Sequence, residues 1–150
     1  MTPLVPGNAV AAIITAGGGY LLQLRDLRHG VFFPGCWGCF GGGVDEGESD
    51  LDALRRELRE ELAFEPPPDA VTFFTRFDFD LRFAGLKPIY RSFYVIDVPE
   101  DELGRLRLGE GAEMKLQPAD AILQGSLPLT PYDSFALWLH LNGPRLTSPT

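Results

Sequence analysis

The stretch from Ser49 to Leu62 restricts the possible folds of this 150-residue chain more than any other part of it. Leucines recur along it at helical spacing and would lie on one side of an α-helix: Leu51, Leu54, Leu58 and Leu62. Ser49 suits the N-cap position, Asp52 completes a capping box, and the prolines at 66–68 would end the helix soon afterwards. The sequence therefore predicts a helix over 49–62 that buries a leucine face.

Apolar segments on both sides of this helix predict strands. Val10–Thr15 and Tyr20–Arg25 flank a glycine-rich turn and predict a hairpin. The other predicted elements are a short strand at 37–40, a glycine turn at 41–43, a half-buried alternating strand along 76–83, its partner at 89–98, a short helix at 100–106, an edge strand at 114–117 and a helix from Thr130 to about Leu141. Hairpins mixed with helices favour an α/β (α+β) sandwich with a mixed β-sheet.

Composition excludes several classes of protein. Hydrophobic residues make up 45% and charged residues 23% of the chain, which is ordinary for a globular protein, and the length predicts a single domain over 1–150. The net charge of −8 argues against a nucleic-acid partner. The longest apolar run, Ala9–Ala16, is too short to span a bilayer, and no secretory signal is visible. We therefore expect a cytoplasmic protein without a membrane partner.

Three glutamates on the predicted helix would share one face beside the leucines. Glu57, Glu60 and Glu61 are related by three and four residues, so their carboxylates would repel one another unless a cation lies among them. Isolated glutamates at this spacing would usually be a solvated surface. The glycine turn before the helix, which permits close backbone approach, favours a site instead. Oxygen ligands of this kind suit Mg²⁺ or Mn²⁺.

The segment containing these glutamates resembles a known sequence signature. The pattern Gly42-x5-Glu48-x7-Arg56-Glu57-Leu58-x-Glu60-Glu61-x-Ala63-Phe64 is similar to the Nudix (MutT-type) hydrolase box. Ala63 stands where that family usually has glycine, which is a departure in backbone geometry and not in a ligand. The specific resemblance covers residues 37–64.

The resemblance implies a Nudix-type α/β/α sandwich and hydrolysis of a nucleoside diphosphate linked to another group. It implies that Glu57, Glu60, Glu61 and the Gly42 carbonyl bind Mg²⁺ (or Mn²⁺). Arg56 would hold Glu57 in place, and Glu48 would support the site. The general base would be either Glu57 or a glutamate of a later loop, where Glu113 is preferred to Glu110.

The substrate stays open at this stage. Nucleotide sugars and (deoxy)nucleoside triphosphates are the favoured small-molecule partners, and Arg25 and Arg76, in strands beside the presumed cleft, are candidates for substrate contact. A homodimer is possible by resemblance. The alternative function is a nucleotide-binding sensor module without turnover. Cys36 and Cys39 would form a zinc site only with both histidines, so two free thiols are expected.

Overall fold

The computed structural model describes residues 4–28, 30–109 and 111–147, with side chains as far as residue 144. The strands are β1 (Ala9–Ala16), β2 (Gly19–Leu24), β3 (Trp37–Gly38), β4 (Phe40–Gly43), β5 (Val71–Phe79), β6 (Ile89–Asp97) and β7 (Glu113–Pro118). The α-helices are α1 (Asp50–Leu62), α2 (Ala119–Leu123) and α3 (Pro131–Thr147). Short 3₁₀ turns cover Pro68–Ala70, Arg82–Ala84 and Glu100–Arg105.

The strands form one mixed sheet with β1 near its centre. β1 runs parallel to β6 on one side and antiparallel to both β2 and β4 on the other. β5 pairs with β6 in an antiparallel hairpin, and β2 also pairs with β3 and β7. The predicted hairpin between β1 and β2 and the predicted pairing of β5 with β6 are thus confirmed.

Helices cover both faces of the sheet because side chains alternate along β1. Val10, Ala12 and Ile14 pack in one buried cluster with Leu54, Leu58 and Leu62 of α1. Leu51, predicted to share that buried face, is 42% exposed. Ala11 and Ile13 pack in a second cluster, with residues of α2 and α3. The result is the expected α/β/α sandwich. In the part of the chain that the structure describes, no helix combines the length and apolar character needed to cross a membrane.

The glycines at 41–43 form part of a strand, where the sequence predicted a turn. They belong to β4, which pairs with β1 so closely that a Cβ on Gly41 would collide with the Val10 carbonyl. The φ angle of Gly41 is +148°, which also favours glycine. These glycines therefore permit close pairing of two strands.

The alternating strand ends earlier than predicted, at Phe79. Asp80 accepts hydrogen bonds from the backbone N–H and the guanidinium of Arg82, and these local bonds fold the chain into the 3₁₀ turn. Phe83, predicted to share a buried face, is 88% exposed.

Helix α3 runs past the predicted end at Leu141 to Thr147 and includes Pro144. Proline has no backbone N–H, so Pro144 cannot donate the helical hydrogen bond that another residue would make there.

Candidate active site

Arg56 is the centre of an ion-pair network between α1 and the loop that precedes it. Its Nε donates to Glu48 Oε2 at 2.9 Å, Nη1 to Glu57 Oε1 at 2.8 Å, and Nη2 to the Gly43 carbonyl at 2.9 Å. The hydrogen bond from Arg56, together with one from the Asp45 backbone, lowers the pKa of Glu48 to about 2. The same Glu48 contact raises the pKa of Arg56. Glu48 therefore stays ionised and orients Arg56, which in turn holds Glu57.

Gly42 makes room for the Glu57 carboxylate. A Cβ on Gly42 would lie 2.5 Å from Cδ and 2.6 Å from Oε1 of Glu57. The Glu57 side chain is 13% exposed, so it lies between the β4 backbone and the helix, with little access to solvent. The structure thus brings together two of the residues that the sequence singled out.

Glu61 is nearly buried, at 3% exposure, and its position depends on a residue that the sequence reasoning missed. Gln23 on β2 donates from Nε2 to Glu61 Oε2 at 3.0 Å and to the Cys39 carbonyl at 3.3 Å. The Gly41 N–H lies 3.3 Å from Glu61 Oε1 and donates to it. The sequence feature that could have identified Gln23 is an amide side chain within a strand of mostly apolar residues.

Glu60 lies at the solvent side of the same face. Its side chain is 52% exposed, and Oε2 is 3.6 Å from Nη1 of Arg56. Among the described residues, no three His, Cys, Asp or Glu side chains converge into a ready-made metal site. The donor set nevertheless fits a hard divalent cation, because the Glu57 and Glu61 carboxylates line one cavity and the adjacent Arg56 is already bonded to Glu48 and Glu57.

Two adjoining cavities open beside these carboxylates. The smaller, of about 210 Å³, is lined by Glu57, Glu61, Gln23 and the arginines at 25 and 28. The larger, of about 630 Å³, is lined mainly by apolar and aromatic side chains, including Phe33, Phe79, Tyr90 and Tyr132. Gly41, Gly42 and Arg25 line both cavities. A ligand could therefore place a charged group in the first cavity and an aromatic group in the second.

The two predicted substrate arginines differ in position. Arg25 lies where the cavities meet, and its Nε donates to the Phe32 carbonyl at 2.6 Å. Arg76 lies outside the lining of both cavities. Its guanidinium is paired with Asp78 at 2.9 Å and lies 3.9 Å from the centre of the Tyr90 ring. Arg76 thus contacts Tyr90, which lines the larger cavity, without lining that cavity itself.

The structure does not bring Glu113 to the carboxylate cluster. Glu113 begins β7 opposite Leu24, is exposed, and does not line either cavity, although Gly111 lines the smaller one. Glu110 lies outside the described residues.

Cys36 and Cys39 are both free thiols. Burial and the nearby Asp133 carboxylate raise the pKa of the Cys39 thiol well above its usual range. Of the two histidines, His29 lies outside the described residues, and His140 bonds to Tyr20.

Comparison with known proteins places this geometry in a family. The model of the NUDIX domain matches residues 5–136. The chain belongs to the Nudix hydrolase family. The nucleoside triphosphatase NudI of Escherichia fergusonii is 53% identical to it over 53 residues, which are 35% of this chain and 37% of that protein. The chain thus matches little more than a third of the length of these curated relatives.

Solved structures resemble this chain over nearly its whole length. The E. coli ORF135 protein superposes with a TM-score of 0.71 at 28% identity, covering 95% of this chain and 93% of that one. A MutT/Nudix family protein from Listeria innocua superposes with a TM-score of 0.70 at 27% identity, covering 97% and 100%. The similarity to these solved structures therefore extends well beyond residues 37–64, which carry the sequence signature.

Proposed function

We propose that this Nudix protein hydrolyses the pyrophosphate linkage of a nucleoside diphosphate derivative with the help of Mg²⁺ or Mn²⁺. The observation that carries the proposal is the junction of a carboxylate-lined cavity with an aromatic one at Arg25. Between the favoured substrates, we propose a nucleoside triphosphate over a nucleotide sugar. The partial match to proteins named nucleoside triphosphatase supports that choice.

Residues in and next to the smaller cavity would hold the metal; Glu57 and Glu61 line it, and Glu60 lies on the same helix outside its lining. Glu57, Glu60 and Glu61 would bind it through carboxylate oxygens, together with the Gly42 carbonyl. A divalent ion there would supply Lewis-acid stabilisation of the charge on the phosphate oxygens. Arg56 keeps Glu57 in position, and Gln23 does the same for Glu61. Arg25 would contact the phosphate chain.

The reaction requires water to attack a phosphorus atom while the bond from that phosphorus to a bridging oxygen breaks. For attack at the α-phosphorus, the products are a nucleoside monophosphate and pyrophosphate. The proton that the water loses must pass to a carboxylate. Glu57 lines the cavity and Glu113 does not, so we assign this role to Glu57. Arg76 is the weaker of the two candidates for substrate contact, since it lines neither cavity.

The test is a panel of nucleoside triphosphates, nucleotide sugars and dinucleotides incubated with Mg²⁺, followed by detection of released phosphate or pyrophosphate. We expect triphosphates to be the best substrates. Glu60→Gln should lower kcat by at least about 10- to 100-fold, the loss typical for residues that support a metal site, with little change in stability because Glu60 is half exposed.

Glu65→Gln is the matched control, because Glu65 is exposed and pairs with Arg59, away from both cavities. It should retain the wild-type rate. A Glu60→Gln variant with the wild-type rate would contradict the metal-ligand role. Tight nucleotide binding without turnover would instead support the sensor alternative. The homodimer and the cytoplasmic location stay predictions.

A further inference from the structure

The larger cavity has an unusual polar character for such an acidic chain. The side chains of Arg25, Arg91 and Asn8 line it, whereas none of the described residues in its lining is Asp or Glu. The Asn8 Oδ1 accepts a hydrogen bond from the Tyr90 N–H at 3.0 Å, which leaves the Asn8 amide group as a donor. The charged and amide groups there consequently offer N–H donors.

Arg91 is the donor most firmly fixed in this cavity. Its side chain is only 13% exposed, and Nε and Nη2 both contact Asp133 Oδ1, at 3.0 and 2.9 Å. The guanidinium carbon lies 4.3 Å from the centre of the Tyr132 ring and 5.4 Å from that of Phe93. No described residue accepts a hydrogen bond from Nη1. The guanidinium is therefore held in place through Nε and Nη2, and its Nη1 can still donate hydrogen bonds to a ligand.

The carboxylate beside Arg91 cannot serve a ligand as an acceptor. Asp133 is 1% exposed, and its Oδ2 already accepts from the Cys39 N–H at 2.9 Å and from Thr130 Oγ1 at 2.8 Å. Its other oxygen is occupied by Arg91. An exocyclic amino group of a base would thus meet the donor Nη1 without gaining Asp133 as an acceptor. A carbonyl oxygen in the same place would accept from a charged donor of low exposure.

We propose that Arg91 donates to a carbonyl oxygen of the nucleobase, so that the cavity prefers 6-keto purines and 4-keto pyrimidines to their 6-amino and 4-amino counterparts. The base would lie against the Phe33 and Tyr132 rings, which meet edge to face with their centres 5.4 Å apart. This inference rests on the proposed function, because it takes the larger cavity to be the nucleoside site.

The first test measures binding without turnover. Inosine and adenosine monophosphates differ in a carbonyl against an amino group at position 6, and uridine and cytidine monophosphates differ in the same way at position 4. Calorimetry on the wild-type protein should give a Kd at least about 5-fold lower for each keto member, the lower end of what a good base contact contributes to discrimination. Equal or reversed affinities would overturn the proposal, as would no binding of any of the four. Because binding alone is measured, failure of hydrolysis does not affect this result.

The second test removes Arg91 together with its partner, so that no buried carboxylate is left unpaired. The Arg91→Met, Asp133→Asn double variant should bind the keto and amino members of each pair with equal affinity. Arg59→Gln is the control, because Arg59 is exposed, pairs with Glu65 and does not line either cavity. It should keep the wild-type preference. A double variant that melts cooperatively and still prefers keto bases would overturn the role of Arg91. If it does not fold, the wild-type comparison decides alone.

Discussion

At the scale of single residues, the active site depends as much on missing side chains as on charged ones. Gly42 has an ordinary negative φ, so its backbone could accept another residue, yet a Cβ there would overlap the Glu57 carboxylate. The glycine is therefore required by its neighbour and not by its own conformation. This separates it from Gly41, where both the positive φ and the contact with Val10 require glycine.

Replacing Gly42 with alanine tests this distinction. Gly42→Ala should displace Glu57 and lower kcat by about 10-fold or more, in the range found when the support of a metal ligand is lost. The melting temperature should change much less than the rate, because the carboxylate can move while the strand pairing stays. Steady-state kinetics and thermal melts measure the two effects. Gly104→Ala, at a position with no atom within 4 Å of the added Cβ, should leave the rate unchanged. Equal rates for both variants would contradict the contact.

At the scale of elements, α1 carries the candidate site and is well defined at both ends. Ser49 Oγ accepts from the Asp52 N–H at 3.1 Å, as the capping pattern predicts. At the other end, the Ala63 N–H donates to the Arg59 carbonyl and the Phe64 N–H to the Leu58 carbonyl. Ala63 adopts the left-handed conformation, with φ of +51°, at the position where the family usually has glycine. The chain thus keeps the family's backbone geometry despite the different residue.

This conformation predicts that the family's glycine would stabilise the protein. Ala63→Gly should raise the free energy of unfolding by about 1 kcal/mol, since the left-handed region costs an L-residue with a Cβ roughly that much. Urea denaturation would measure the gain, and activity should stay the same. Ala84→Gly is the control: Ala84 lies in an exposed turn without a positive φ, so no gain is expected. A destabilised Ala63→Gly variant would show that the alanine methyl contributes more than its strain costs.

At the scale of the whole molecule, polar contacts as well as apolar ones hold α3 to the sheet, and one of them joins Tyr20 to His140. Tyr20 Oη on β2 and His140 Nδ1 on α3 lie 2.6 Å apart. Burial, and to a lesser degree the nearby Cys39, raises the pKa of Tyr20 to about 12, so the hydroxyl stays protonated at neutral pH. Burial also lowers the pKa of His140. Burial at this contact therefore favours the neutral imidazole in the folded protein.

Stability should therefore depend on pH through His140. In the unfolded chain the imidazole titrates near 6.5, whereas in the folded protein it titrates lower. Below the unfolded value the unfolded chain binds the extra proton more readily, so the free energy of unfolding should fall as the pH decreases from about 7 to 5. His140→Gln, whose amide can still form a hydrogen bond with Tyr20 and does not titrate, should show a flatter profile over that interval. Parallel profiles for the two proteins would contradict the role of His140.

The local part of this protein was readable from its residues. The leucine spacing, the Ser49 cap and the glutamate set define α1 and the family signature, because a helix is specified by neighbours three and four residues apart. The β1–β2 and β5–β6 hairpins were also predictable from local sequence, because strand patterns that follow one another across a turn indicate paired strands. Prediction failed at Phe83, where Asp80 and Arg82 bend the chain locally, and the alternating pattern gave no sign of it.

Only the tertiary structure decided which distant groups meet. Gln23 and Glu61 are 38 residues apart, Arg91 and Asp133 are 42 apart, and Cys39 and Asp133 are 94 apart. Such contacts depend on the order and register of strands in the sheet, and no local spacing encodes them. The two cavities follow from the same cause, since the chain segments that line them come together only when β1, β4 and β6 pair. The sequence alone therefore determined that α1 carries a set of glutamates. The packing of the sheet decided which distant residues lie beside them, because strand order and register bring those residues together.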